Sequence, residues 1–145
     1  MTALATIAAT VAMIVGHPVP VTCQYVAPSI AGEAWFGDTT ARIELDPQTC
    51  NQMTVGMFAV IDREAYAWGM LVTVHEAEHI RYQDGNEAVT ECRALRDFPL
   101  AVTRVLPYSD ALDRADATML RDQMTGYAES AARFSMPAYY LDGTC

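Results

Sequence analysis

The segment His75-Glu76-Ala77-Glu78-His79 has the residue types and the spacing to bind a metal ion and to activate water. Two histidines four residues apart project from the same face of a helix, so both imidazoles can reach one ion. The glutamate after the first histidine lies beside that pair, where it can accept a proton from a metal-bound water without being a ligand. The segment therefore predicts a helical metal site with His75 and His79 as ligands and Glu76 as the catalytic base.

A catalytic zinc site usually needs a third protein ligand and keeps one position open. The chain has three histidines, and the remaining one, His17, lies far upstream, so a carboxylate is favoured as the third ligand. Glu87 and Glu91 are candidates because they lie four residues apart on the next predicted helix and therefore share a face. The spacing leaves open which of the two is the ligand.

These two motifs together resemble those of the zincin metallopeptidases, specifically the gluzincins. In that family a helix bearing N-E-x-x-x-acid follows H-E-x-x-H, as Asn86, Glu87 and Glu91 do here. The resemblance implies a Zn²⁺ ion bound by His75, His79 and Glu87, which makes Glu87 the favoured third ligand. It implies that Glu91 orients a ligand histidine through a hydrogen bond. Seven residues separate His79 from Glu87, fewer than in the well-known gluzincins.

The same resemblance implies the activity, which is hydrolysis of a peptide bond in a peptide or protein substrate. Glu76 would be the general base that takes a proton from zinc-bound water. The segment Glu87–Cys92 also resembles an E-A-x-x-E-C stretch in a group of small uncharacterised bacterial secreted proteins that carry H-E-x-x-H. A tyrosine or an arginine would have to stabilise the oxyanion. The candidates are Tyr82, Tyr108, Tyr127, Tyr139, Tyr140 and Arg81.

A non-catalytic role is the alternative, either as a zinc-binding module at the cell surface or as a membrane-associated accessory subunit. A chain of 145 residues leaves little room for a substrate cleft, which favours this alternative. The fourth zinc ligand distinguishes the two classes. A water beside Glu76 indicates an enzyme, whereas a fourth protein ligand indicates a structural site.

The composition is that of one globular domain, with 52% hydrophobic and 19% charged residues. The formal net charge is −9 and the chain contains no lysine. Nucleic acids and anionic membrane surfaces attract basic patches, so the sequence excludes nucleic acid as a partner. The oligomeric state is not predicted.

Four cysteines, Cys23, Cys50, Cys92 and Cys145, are widely spaced and form no C-x-x-C pair. Their even number predicts two disulfides and an oxidising compartment. We favour the pairs Cys23–Cys50 and Cys92–Cys145, which join neighbours along the chain and fix the C-terminal tail.

An apolar run from Ala3 to Gly16 precedes the breaker His17-Pro18. The run is shorter than the ~20 residues that span a bilayer, and its length suits a signal peptide. We therefore assign residues 1–16 to a secretory signal or a membrane anchor, with possible membrane association through residues 3–16. A buried N-terminal helix is the alternative. The predicted location is extracellular, or membrane-anchored and facing an oxidising compartment.

The remaining residues, 17–145, are predicted to form one zincin-like metal-binding domain. Its class is α+β and mainly α, with a small β-hairpin and disulfide staples. The predicted strands are Glu33–Phe36 and Ala41–Leu45. The resemblance to zincins implies an edge strand that pairs with an extended substrate, and Ala41–Leu45 is the candidate for it. The predicted helices are residues 47–57, 63–82, 87–98 and about 109–134. The third is interrupted before Pro99, and a continuation at an angle from Leu100 to Leu106 is left open. Gly85 is the predicted C-cap of the second helix, Glu78 is expected in solvent, and Trp35, Trp68 and Tyr66 are expected in the core.

Overall fold

The computed structural model describes residues 3–37, 40–55, 63–105, 118–119 and 121–126. Their order is α1 (Ala3–Val15), β1 (Val21–Cys23), β2 (Gly32–Trp35), β3 (Arg42–Leu45), α2 (Pro47–Val55), α3 (Arg63–Tyr82) and α4 (Glu87–Val105). Residues 121–126 are also helical, and the rest of the predicted last helix lies almost wholly outside the described residues. A mainly helical α+β domain with a small sheet is confirmed.

The central element is α3, whose predicted bounds are confirmed. It is buried around most of its circumference, because α1, α2, α4 and β2 all pack against it. Its buried apolar residues are Tyr66, Ala67, Met70, Leu71, Val72, Val74, Ala77 and Ile80. At Gly69 the α2 helix crosses so closely that an added Cβ would lie 3.2 Å from the carbonyl oxygen of Thr49. Packing from several directions holds the part of α3 from His75 to His79 inside the domain.

The sheet has the strand order β1-β3-β2. β3 pairs in antiparallel fashion with β2, which confirms the hairpin, and in parallel with β1. The prediction that Ala41–Leu45 is the edge strand is wrong, because Val21–Cys23 occupies its second side. Ile43 and Leu45 are fully buried, so this face of the sheet covers the core. β3 is therefore the central strand, and β2 lies at the edge of the sheet opposite β1.

α4 continues through Pro99 to Val105, so the predicted interruption before Pro99 is wrong. A proline inside a helix removes one hydrogen bond and costs about 3 kcal/mol. Phe98, Ala101 and Val102 flank that position, and each is at most 1% exposed. Burying large apolar side chains contributes about 1.5–3 kcal/mol apiece. Core packing on both sides of Pro99 therefore offsets the lost bond.

The N-terminal helix α1 contributes to the same core as the rest of the domain. Ile7 and Val11 are fully buried and Ile14 is 5% exposed. The buried hydroxyl of Thr10 donates a hydrogen bond to the carbonyl of Thr6, so this polar group is satisfied within the helix. Among the described residues, no helix has the length and apolarity needed to cross a membrane. Cleavage or membrane anchoring of residues 1–16 stays a prediction.

The predicted Cys23–Cys50 disulfide is confirmed, and it joins the end of β1 to α2. Cys92 is also disulfide-bonded. Its predicted partner, Cys145, lies outside the described residues. The Cys23–Cys50 disulfide indicates an oxidising compartment.

Candidate metal centre

A tight turn between α3 and α4 brings the two helices together near His75 and His79. Gln83 adopts the left-handed conformation at the end of α3, with φ of 50°. The prediction that Gly85 carries this C-cap is therefore wrong. Asn86 caps α4, because its side-chain oxygen accepts a hydrogen bond of 3.1 Å from the backbone N–H of Val89. α4 thus begins next to the last turns of α3, and Glu87 faces the two histidines.

Three ligand atoms converge at this place. The Nε2 atoms of His75 and His79 are 3.0 Å apart. The Oε2 atom of Glu87 lies 3.0 Å from the first and 3.2 Å from the second. Ligands bound at about 2.0–2.2 Å in a tetrahedral site are separated by roughly 3.3–3.5 Å, close to these values. His75, His79 and Glu87 can therefore hold one metal ion.

The other nitrogen of each imidazole faces a hydrogen-bond acceptor. His75 Nδ1 lies 2.6 Å from Oε2 of Glu91. His79 Nδ1 is hydrogen-bonded to the backbone carbonyl of Asp84, which can only accept. Each Nδ1 must therefore carry the proton, and each Nε2 then presents a lone pair. Two lone pairs and one carboxylate oxygen point at the same place, an arrangement that can hold a cation.

In the metal-free protein a proton can meet this requirement at His75. Burial of His75 lowers the pKa of its imidazole, but hydrogen bonds with Glu87 and Glu91 outweigh burial and raise it to about 10. A metal ion must displace that proton to bind. Metal affinity is therefore expected to fall as the pH decreases.

Glu76 lies beside the ligands and against β2. It is 6% exposed, and a Cβ added to Gly32 would lie 2.9 Å from Cγ of Glu76. Burial raises the pKa of Glu76 to about 7; the charge of His75 opposes this increase, and the carboxylates of Glu87 and Glu33 add to it. A carboxyl group with this pKa can exchange a proton near neutral pH.

The site opens to solvent on the side of Glu87. The Glu87 side chain is 33% exposed, whereas those of His75 and His79 are 5% and 7% exposed. Phe36, which follows β2, stacks on His79 with ring centroids 6.0 Å apart and planes at 10°. β2 therefore runs alongside the site. Its first residue, Gly32, lies against Glu76, and Phe36, the residue after its end, lies against His79.

Glu87 and Glu91, which the spacing could not distinguish, occupy different positions. Glu87 lies with the Nε2 atoms, whereas Glu91 lies behind His75 on its Nδ1 side. Asp84 is a contributor that sequence reasoning missed, because a backbone carbonyl has no side-chain signal. Its carboxylate accepts hydrogen bonds of 3.0 Å from Arg93 and from the backbone N–H of Asn86, which fixes the turn.

The structure gives the proposed oxyanion candidates Arg81 and Tyr82 other partners. Arg81 pairs with Glu78 at 3.3 Å and with Asp97 at 3.0 Å. The Tyr82 ring lies beneath the guanidinium groups of Arg81 and Arg93. The other four tyrosine candidates lie outside the described residues.

Glu78 is fully buried, so the expectation that it faces solvent is wrong. Its side of α3 is covered by α4, where Asp97 lies beside it. Burial and the neighbouring Asp97 raise the pKa of Glu78 to about 7. Trp35 also departs from expectation, because it is 43% exposed, while Tyr66 is buried as expected.

Comparisons of the chain with protein-family models, with curated proteins and with solved structures found no match. The zincin resemblance therefore stays a prediction.

Proposed function

We propose that the protein is a zinc-dependent metallopeptidase that is secreted or membrane-anchored and faces an oxidising compartment. One observation carries this proposal: two imidazole lone pairs and a carboxylate oxygen converge beside a buried glutamate. Two histidines and one carboxylate are a ligand set of catalytic zinc sites. The partial exposure of Glu87 supports an open coordination position, because structural zinc sites are closed by protein ligands.

Zinc, when bound, would polarise the scissile carbonyl and lower the pKa of water toward ~7. The Glu76 carboxylate takes a proton from the attacking water and delivers it to the nitrogen of the leaving amine. The pKa of Glu76, raised to about 7 by burial, suits a group that both accepts and donates a proton. Glu91 and the Asp84 carbonyl keep each imidazole in the tautomer that presents Nε2.

The position of β2 supports a peptide substrate. β2 pairs with β3 on one side, and on its other side no strand is paired with it among the described residues. An extended peptide can pair with such an edge through backbone hydrogen bonds. Because β2 follows the site from Glu76 to His79, a peptide along it would pass the metal centre.

The test compares Glu76→Gln with His79→Ala. Purified variants are analysed for zinc content and for cleavage of an unstructured peptide mixture by mass spectrometry. Glu76→Gln is expected to retain zinc while its cleavage rate falls by about 10²–10⁴-fold, because a general base contributes this much. His79→Ala is expected to lose both zinc and cleavage. Glu64→Gln, on the exposed first turn of α3, is the matched control.

Two results would contradict the proposal. Equal cleavage by Glu76→Gln and the unchanged protein would remove Glu76 from the chemistry. Stoichiometric zinc without cleavage of any peptide would favour the non-catalytic zinc-binding module instead.

A further inference from the structure

The outer face of the hairpin carries the side chains of four residues. In the register of β2 and β3, Glu33 lies opposite Glu44, and Trp35 lies opposite Arg42. Successive side chains of a strand point to opposite faces of the sheet. Because Ile43 and Leu45 point into the core, the four residues named above lie on the face away from the core.

This face has a charge imbalance. Arg42 is paired with Glu44 at 3.0 Å, and its guanidinium lies 4.5 Å from the centroid of the Trp35 ring. None of the ion pairs among the described residues includes Glu33. Two carboxylates and one guanidinium leave this face with a net negative charge, which a cation beside Glu33 would neutralise.

We propose that Glu33 binds an arginine or lysine side chain of an extended peptide that pairs with the edge of β2 on which no strand lies among the described residues. This inference rests on the proposed metallopeptidase function and names its substrate class. Glu33 directly follows Gly32, whose backbone abuts Glu76, so the bound basic residue lies close to the scissile bond.

The geometry of strand pairing specifies where this residue lies. Side chains of a paired peptide alternate between the two faces, so the residue opposite Glu33 projects from the outer face. Directly opposed Cβ atoms are about 4.5–5.5 Å apart, which an arginine or lysine can bridge to a carboxylate. Two residues along, the exposed Trp35 ring offers an apolar surface to the next outward side chain.

The net charge of the whole chain also favours binding of a cationic peptide. The net charge is −9, so a cationic peptide is attracted before contact. This general attraction does not depend on Glu33, and a local test must separate the two effects. An arginine-containing peptide and its citrulline counterpart have nearly the same shape but differ in charge at one position.

The experiment uses zinc-loaded protein and paired peptides in which one position is arginine or citrulline. We expect the ratio of kcat/KM for the arginine peptide over the citrulline peptide to fall about tenfold in Glu33→Gln, the effect of one charged hydrogen bond. Glu64→Gln has the same change in net charge and is exposed, and it is expected to keep the ratio of the unchanged protein.

Binding of the same peptides to zinc-loaded Glu76→Gln, with and without Glu33→Gln, separates the two proposals. A preference for arginine that disappears with Glu33→Gln supports the role of Glu33, even if no peptide is cleaved and the peptidase proposal fails. Cleavage with the same ratio in Glu33→Gln and Glu64→Gln overturns the role of Glu33 and leaves the peptidase proposal intact. Absence of any arginine preference in binding overturns it as well.

Discussion

Glu91 provides the most informative single perturbation of the metal centre, because it lies behind a ligand. Its carboxylate accepts a hydrogen bond of 2.6 Å from Nδ1 of His75. The two side chains are 8% and 5% exposed. The bond fixes the tautomer that presents Nε2 of His75 to the metal and increases the basicity of that nitrogen.

The expected size of the effect follows from this contact. A buried hydrogen bond to a charged group contributes about 1.5–3 kcal/mol, or roughly 10- to 150-fold in an equilibrium constant. Removal of such a partner typically weakens metal binding by about 10- to 100-fold. We expect Glu91→Ala to weaken zinc binding about 100-fold. Glu91→Gln retains an accepting oxygen but loses the charge, and we expect a loss of about tenfold.

The assay is a zinc titration against a chromophoric chelator that competes for the ion at a fixed pH. Glu87→Ala serves as the reference for loss of a ligand, with binding expected below the detection limit. Glu64→Gln is the surface control. Thermal unfolding of each metal-free variant shows whether the fold is retained.

Two outcomes would refute this reasoning. If Glu91→Ala bound zinc as tightly as the unchanged protein, the contact with His75 would have no role in metal binding. If Glu91→Ala lost all binding while Glu87→Ala retained it, Glu91 would be the ligand and the two residues would exchange roles.

Three further predictions concern other parts of the domain. Gly32→Ala is expected to displace the Glu76 side chain, because the new Cβ would lie 2.7 Å from Cδ2 of Leu45 and 2.9 Å from Cγ of Glu76 and both side chains must move. We expect peptide cleavage to fall at least tenfold while zinc content stays at one per chain. Glu78→Gln is expected to make the free energy of unfolding depend less on pH between about 4.5 and 7, as measured by urea unfolding of metal-free protein. Glu78 has a pKa of about 7 when folded, so its protonation stabilises the protein below about pH 4.5, and that contribution, on the order of 3 kcal/mol, is lost as the pH rises through 7. The double variant Cys23→Ser/Cys50→Ser removes a disulfide that joins residues 27 positions apart. We expect its free energy of unfolding to be lower by about 3.5 kcal/mol.

Each of these predictions has a contradicting outcome. No atom of the described residues would lie within 4 Å of a Cβ added at Gly126, so equal losses of cleavage in Gly32→Ala and Gly126→Ala would show that the effect is not local to Glu76. Parallel pH curves for Glu78→Gln and the unchanged protein would show that Glu78 does not titrate differently on folding. An unchanged urea midpoint without the Cys23–Cys50 bond would show that the disulfide does not stabilise the folded protein.

Local patterns in the sequence were sufficient to predict the metal-binding helix. The spacing of His75 and His79 acts within one helical turn, and the bounds of α3 were predicted correctly from its flanking residues. The hairpin and the Cys23–Cys50 pair also connect segments that are neighbours along the chain. Local geometry determines these features, so the sequence reveals them without knowledge of the tertiary fold.

Features that depend on contacts between distant segments were not predictable in this way. The pairing of Val21–Cys23 with β3 changed which strand lies at the edge, and no local pattern specifies it. Burial of Glu78 depends on the way α4 folds back over α3, and continuation of α4 through Pro99 depends on core packing. The hydrogen bond between His79 and the Asp84 carbonyl depends on the backbone conformation of the turn, which the type of residue at that position does not reveal.

The most direct test of the central claim is a crystal structure of the zinc-loaded protein with anomalous diffraction measured on both sides of the zinc absorption edge. We expect one anomalous peak per chain, bound by Nε2 of His75, Nε2 of His79 and a carboxylate oxygen of Glu87, with a water as the fourth ligand beside Glu76. A fourth protein ligand would contradict the proposed catalysis. Absence of a peak between these three side chains would contradict the metal site itself.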